Sequence, residues 1–175
     1  MTSFELHPQL AADTETVATW PLCEVLLIKD ANYPWLVLVP ARDGLRDFDD
    51  LSPEDMALAT LEITRASKVL KSLFSPDKIN VAALGNMVPQ LHIHVIARFA
   101  HDASWPQPIW GVVPAKPYEA SELDARLTVL RDAFEATLRR ICPIFWRIGL
   151  PRVAGVRTPI SLRCLKRQGP GNPRC

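Results

Sequence analysis

Residues 88–98 read Val-Pro-Gln-Leu-His-Ile-His-Val-Ile-Ala-Arg, and no other stretch limits the fold as much. Gln90, His92 and His94 alternate with Leu91, Ile93 and Val95. Successive side chains of a β-strand point to opposite faces, so period two predicts a strand with Gln90, His92 and His94 in one row. Leu91, Ile93 and Val95 then pack against a core. Two of the chain's four histidines sit within three residues, where Thr, Lys or Glu would solvate an open face equally well. The pattern therefore points to chemistry as much as to architecture.

The rest of the chain supplies partners for that strand. Cys23–Lys29 and Trp35–Val39 are short apolar runs of good strand formers, joined by the turn-forming Asp30-Ala-Asn-Tyr-Pro34 as a hairpin. Leu51-Ser-Pro-Glu-Asp55 marks a helix start, with Ser52 as N-cap, Pro53 in the first turn and Asp55 closing a capping box. Met56, Ala59, Ile63, Ala66, Leu70 and Leu73 follow at spacings of three and four, one apolar stripe, and Ser75-Pro76-Asp77 stops it. A third strand is expected over 79–84, a turn at Gly85-Asn86, and a fourth strand over 90–99. A second helix is expected from Ser121, with Leu123, Leu127, Leu130, Phe134 and Leu138 as its stripe. Between these, Ser104-Trp-Pro-Gln-Pro-Ile-Trp-Gly111 is too proline-rich for a central strand. It reads as a shaped loop whose Trp105 and Trp110 either cover the sheet edge or meet a ligand. Short hairpin connections with intervening helices make the class α+β with a small antiparallel sheet.

A chain of 175 residues holds one domain, or one domain with an appendage. Residues 139–175 carry nine basic and no acidic side chains, which leaves 11 basic and 19 acidic in residues 1–138. The boundary falls near residue 138, with a poorly ordered, Pro- and Arg-rich tail beyond it. That tail has little aromatic interleaving and follows an acidic body, so nucleic acid is not the expected partner. The start, Met1-Thr-Ser-Phe-Glu-Leu-His, lacks a basic segment before an apolar one, and no apolar run reaches membrane-span length. A cytoplasmic protein is expected. Cys23, Cys142, Cys164 and Cys175 are too scattered for a disulfide framework or a zinc knuckle.

Three readings compete for the Gln90-His92-His94 row. It is a polar sheet face; or it holds a metal, with His101 or Asp102 completing the ligands; or His92 is a nucleophile flanked by donors for a phosphoryl group. On pattern alone the first and third rank level and metal binding comes last. Gln90-Leu-His-Ile-His-Val-Ile96 resembles the signature of the histidine triad (HIT) superfamily, His-φ-His-φ-His-φ-φ with φ apolar, with Gln90 in place of the first histidine. Further support comes from Ile28-Lys-Asp-Ala-Asn-Tyr-Pro-Trp-Leu-Val-Leu-Val-Pro40, from the long helix that follows, from Ile79-Asn80, and from the Arg98-Phe99 and Trp105-Pro106 segment, which resembles a bacterial subgroup.

The resemblance implies a five-stranded antiparallel sheet with two helices, paired into a homodimer. It also implies a nucleotide-binding protein that hydrolyses or transfers nucleotides at the α-phosphate. His92 would be the nucleophile that forms a nucleotidyl-histidine, and His94 would contact phosphate oxygens. Asp30 would meet the ribose hydroxyls, and Asn80 and Asn86 would line the phosphate site. No metal cofactor is implied, and Mg²⁺ would enter only with a polyphosphate substrate. Gln90 offers an amide of similar reach to histidine but cannot carry a proton, so the expected alternatives are a working hydrolase and a nucleotide sensor with weakened chemistry.

Overall fold

The computed structural model describes residues 4–141. In chain order its elements are α1 (Pro8–Asp13), β1 (Thr14–Thr19), β2 (Cys23–Ile28), β3 (Trp35–Pro40), a 3₁₀ turn (Phe48–Asp50), α2 (Pro53–Phe74), β4 (Lys78–Ala82), β5 (Ile93–Arg98) and α3 (Ala120–Ile141). The strands form one five-stranded sheet in the order β1-β2-β3-β5-β4, every neighbouring pair antiparallel. The fold is α+β, with two long helices. The basic tail beyond residue 141 lies outside the described residues.

Each element follows from local chemistry. Ser52 caps α2 by accepting the Asp55 N–H at 3.1 Å. The reciprocal half of the expected box is replaced, because the Asp55 carboxylate takes a two-pronged bond from Arg42 at 2.8 and 2.9 Å. Ser75 ends the helix in the left-handed region. Ala59, Ala66 and Leu70 from the apolar stripe are buried, and Met56, Ile63 and Leu73 pack beside them.

One face of the sheet meets α2 and α3 through Val25, Leu27, Leu36, Leu38, Ile93, Val95 and Ala97. Buried Leu127, Leu130 and Phe134 bring α3 onto this core, where the Phe134 ring meets Trp20 edge-on at 4.9 Å. The alternate residues point the other way. There Phe4 and Leu6 pack with Leu26, Val37 and Val39, and the loop after β5 contributes Ile109 and Trp110 against Tyr33 and Ile96. The strand β3 and the Val25–Ile28 part of β2 are covered on both faces, which explains their unbroken apolar character.

Three expectations need correction. The sheet has a strand that the residue pattern did not reveal, β1, whose Thr-Glu-Thr-Val-Ala-Thr sequence is polar and whose register shifts between Thr16 and Ala18. A bulge of that kind breaks period two. The histidine-bearing strand begins at Ile93 rather than residue 90, because its ladders end at the Leu38–Ile93 and Ala82–His94 pairs. Upstream of them Leu91 instead donates its N–H to the Leu45 carbonyl at 3.0 Å. The third strand is likewise shorter, ending at Ala82 rather than Leu84.

Candidate active site

The histidines lie on the sheet face away from the long helices, at the start of β5. His92 and His94 are both buried, at 8% and 6% exposure, and their rings meet edge-on with centroids 4.9 Å apart. The Nδ1 atom of His92 is 2.7 Å from the carbonyl oxygen of Gln90. A carbonyl only accepts, so Nδ1 carries a hydrogen, and in the neutral ring the lone pair is then on Nε2. His94 is enclosed by indoles. The Trp35 Nε1–H donates to His94 Nδ1 at 3.0 Å, and the rings of Trp35 and Trp110 stand 5.3 and 5.4 Å from the imidazole. Burial, with His92 adding to it, lowers His94 to about 4.

His92 lines a cavity of about 240 Å³ together with residues 46–49, Ala83, Leu84, Gly85 and Leu91. Gly85 has φ +69°, a left-handed conformation that favours glycine. The nucleophile candidate thus faces space, whereas His94 faces aromatic rings.

Further along β5, Arg98 is 1% exposed. Its Nε and Nη2 bind the two carboxylate oxygens of Asp102 at 2.7 and 3.0 Å. Nη1 donates to Asn80 Oδ1 at 2.8 Å, and Nη2 also reaches Ser104 Oγ and the Gln107 carbonyl. The Asp102 carboxylate in addition accepts the Phe99 and Ser104 N–H groups. Burial alone would raise this carboxyl, but the Arg98 guanidinium and those N–H groups bring it down to about 2. The network fixes the start of the loop that delivers Trp110 to His94.

Comparisons with known proteins identify the fold. A family model, the HIT domain, matches residues 9–101. The chain belongs to the histidine triad family. A solved histidine triad protein of Bradyrhizobium japonicum is 45% identical, with 76% of this chain and 99% of that one covered and a TM-score of 0.74. One from Marinobacter aquaeolei is 41% identical over 77% and 98%, also at 0.74, and one from Sinorhizobium meliloti is 38% identical over 74% and 96%, at 0.72. A search of curated proteins gives no match.

Within this histidine triad fold, the residues singled out in the sequence are distributed unevenly. His92 and His94 come together. The side chain of Gln90 belongs to the N-terminal segment, where Oε1 accepts the His7 N–H and Nε2 donates to the Glu5 carbonyl, both at 2.9 Å. Its main-chain carbonyl is what reaches His92. Asp30 is buried after β2, and its Oδ1 accepts the N–H groups of Asn32 and Lys116 at 3.0 Å each. Asn80 on β4 is held by Arg98. Asn86 is exposed one residue beyond the cavity wall at Gly85. Asp102 is engaged by Arg98, and the His101 ring rests 5.5 Å from Phe99. Among the described residues no three His, Cys, Asp or Glu side chains are placed to hold a metal ion, and no helix is long and apolar enough to cross a membrane.

The residue pattern did not single out Trp35, Arg98 or the cavity wall at Arg46. Trp35 sits inside Pro-Trp-Leu-Val-Leu-Val-Pro, where an indole reads as one more strand former. The available signal was parity: in an antiparallel ladder, alternate residues of β3 share the face that carries His94.

Proposed function

We propose that the protein is a nucleotide phosphohydrolase or nucleotidyl transferase, acting at the α-phosphate of a nucleotide conjugate through a nucleotidyl-histidine at His92. Dinucleoside polyphosphates and nucleoside phosphoramidates are the substrate classes. The observation that supports this most is the 2.7 Å contact of His92 Nδ1 with the Gln90 carbonyl. It leaves the Nε2 lone pair of a buried imidazole as the reactive atom, in a site with a cavity at its side.

In the first step Nε2 attacks phosphorus, the bond to the leaving group breaks, and the leaving group departs with its electron pair, taking a proton from solvent. Water or another acceptor then attacks phosphorus and gives up its proton to solvent while the P–N bond breaks with its electron pair returning to Nε2, which regenerates neutral His92 and releases the nucleotide or its new conjugate. The Gln90 carbonyl stabilises positive charge on the ring as the P–N bond forms, since the hydrogen on Nδ1 points at it. Asp30 makes its loop bonds through Oδ1, and Oδ2 would meet a ribose hydroxyl. The Asn80 amide N–H₂ and Asn86 would contribute donors to phosphate. Mg²⁺ would enter only with a polyphosphate chain. Pairing into a homodimer belongs to the same proposal and is testable by analytical ultracentrifugation.

His92→Ala should lower kcat on an activated nucleotide conjugate by on the order of a thousandfold or more and leave nucleotide affinity within about tenfold. Normal turnover by that variant would end the proposal. One second reading, a nucleotide-binding protein with weak chemistry, is favoured because Gln90 cannot carry a proton and its amide is committed to Glu5 and His7. Replacing Gln90→His separates the two. The enzyme reading expects a loss of turnover, since the two nitrogens of an imidazole point apart and do not reproduce the side-by-side amide O and N–H₂ that meet the His7 N–H and the Glu5 carbonyl, which shifts the Gln90 carbonyl away from His92. A large gain would favour the second reading.

A further inference from the structure

The two imidazoles are anchored through the same ring atom to opposite kinds of partner. His92 Nδ1 faces a carbonyl oxygen, which can only accept. His94 Nδ1 faces an indole N–H, which can only donate. We propose that Trp35 is a positioning residue that holds His94 as the neutral Nε2–H tautomer, so that His94 offers phosphate a fixed hydrogen-bond donor and not a transferable proton. This rests on the reading of His92 as the nucleophile.

A proton on Nδ1 would set two N–H groups head to head across 3.0 Å. Either the bond breaks or the proton stays away. The surroundings oppose any escape from that choice. On β3, Trp35 covers one side and Val37 lies opposite His94 in the ladder; on β4 the partner is Ala82. From the loop after β5 comes Trp110, and from the approach to β5 comes His92. The titratable group among these is His92, and a positive charge there would only disfavour a second one. The lowering of His94 to about 4 agrees with this enclosure.

The arrangement makes His92 and His94 complementary. One presents a lone pair at Nε2 and the other presents a hydrogen at Nε2. Negative charge on the non-bridging oxygens of a transferring phosphoryl group is best met by donors that are already in place. A neutral donor that cannot titrate in the working range does this without competing for the proton that the leaving group needs. It also explains why an indole stands at position 35. Phe would fill the same space and suit the strand, but it would leave the imidazole free to take either tautomer.

The test is a nitrogen-15 spectrum of the imidazole rings of the full chain, recorded as a pH series, with His94→Gln used to assign the His94 signals. In the wild type His94 should show a protonated Nε2 and a bare Nδ1, with no titration above about pH 5. In Trp35→Phe the tautomer preference should weaken and the titration midpoint should rise by at least about one pH unit toward the ordinary ~6.5. A hydrogen on Nδ1 in the wild type overturns the proposal, and that result needs no variant to fold. An unchanged spectrum in a folded Trp35→Phe overturns it as well. Adenosine monophosphate should shift the wild-type Nε2 signal. The expected tautomer with no response to the nucleotide would refute the nucleotide reading, and with it the role at phosphate, while the wrong tautomer would refute the lock itself.

Discussion

Replacing Asp102→Ala should destabilise the fold strongly, because it strands a buried charge. The Arg98 guanidinium is 1% exposed and would be left with neutral acceptors only: Asn80 Oδ1, Ser104 Oγ and the Gln107 carbonyl. The N–H groups of Phe99 and Ser104 would lose their acceptor in the same stroke. Breaking a buried pair from one side typically costs about 3–5 kcal/mol, because the surviving charge is uncompensated. An independent route gives a similar scale. The fall of the Asp102 carboxyl from its ordinary 3.8 to about 2 corresponds to about 2 kcal/mol for the ionised form alone. That contribution is fully present above the unfolded value near 3.8 and disappears as pH falls through about 2. Urea unfolding at neutral pH measures the loss directly. The double variant Arg98→Met with Asp102→Ala should recover at least half of it, since no charge is then stranded. A loss below about 1 kcal/mol for Asp102→Ala, well under that for breaking a buried pair, would refute the reasoning, because the pair would then be behaving as an exposed one.

Glu62 gives a second test. This α2 side chain is 5% exposed and accepts the N–H groups of Leu22 and Cys23 at 2.9 Å each, so Glu62→Ala should destabilise by about 2–4 kcal/mol through two stranded donors, measured by the same unfolding assay. A third concerns acid. His94 falls from 6.5 to about 4, so the unfolded chain binds more protons between those values. Stability should therefore drop by about 3 kcal/mol as pH is lowered across that window, and His94→Gln should flatten that part of the profile.

The legible part of the fold was the part written in period. The Ser52-capped helix, its stop at Ser75 and the hairpin of β2 and β3 follow from capping, turn chemistry and apolar runs within a few residues of one another. The strand β1 escaped because one bulge and five polar or small residues erase its alternation. Glu62 escaped for the opposite reason. It sits on the buried face of an amphipathic helix, where an acidic residue contradicts the stripe, and only the tight turn ahead of β2 supplies the N–H groups that justify it. At the site, the histidines announced themselves by spacing. The tautomer-setting partners did not, since the bond from Trp35 joins residues 59 positions apart and depends on strand register. Gln90 shows the limit of parity. Its backbone leaves the ladder before the row begins, so its amide joins the N-terminal segment while its carbonyl serves His92.

The central claim is that His92 becomes covalently bonded to the α-phosphorus of a nucleotide. Rapid quenching of the full chain with a nucleotide radiolabelled at the α-phosphate and carrying an activated leaving group tests it directly, with His92→Ala run in parallel. The account predicts an adduct on the wild type that is labile in acid, stable in base, and absent from the variant. Turnover without any such adduct at the shortest quench times, or an adduct that persists in His92→Ala, would contradict it.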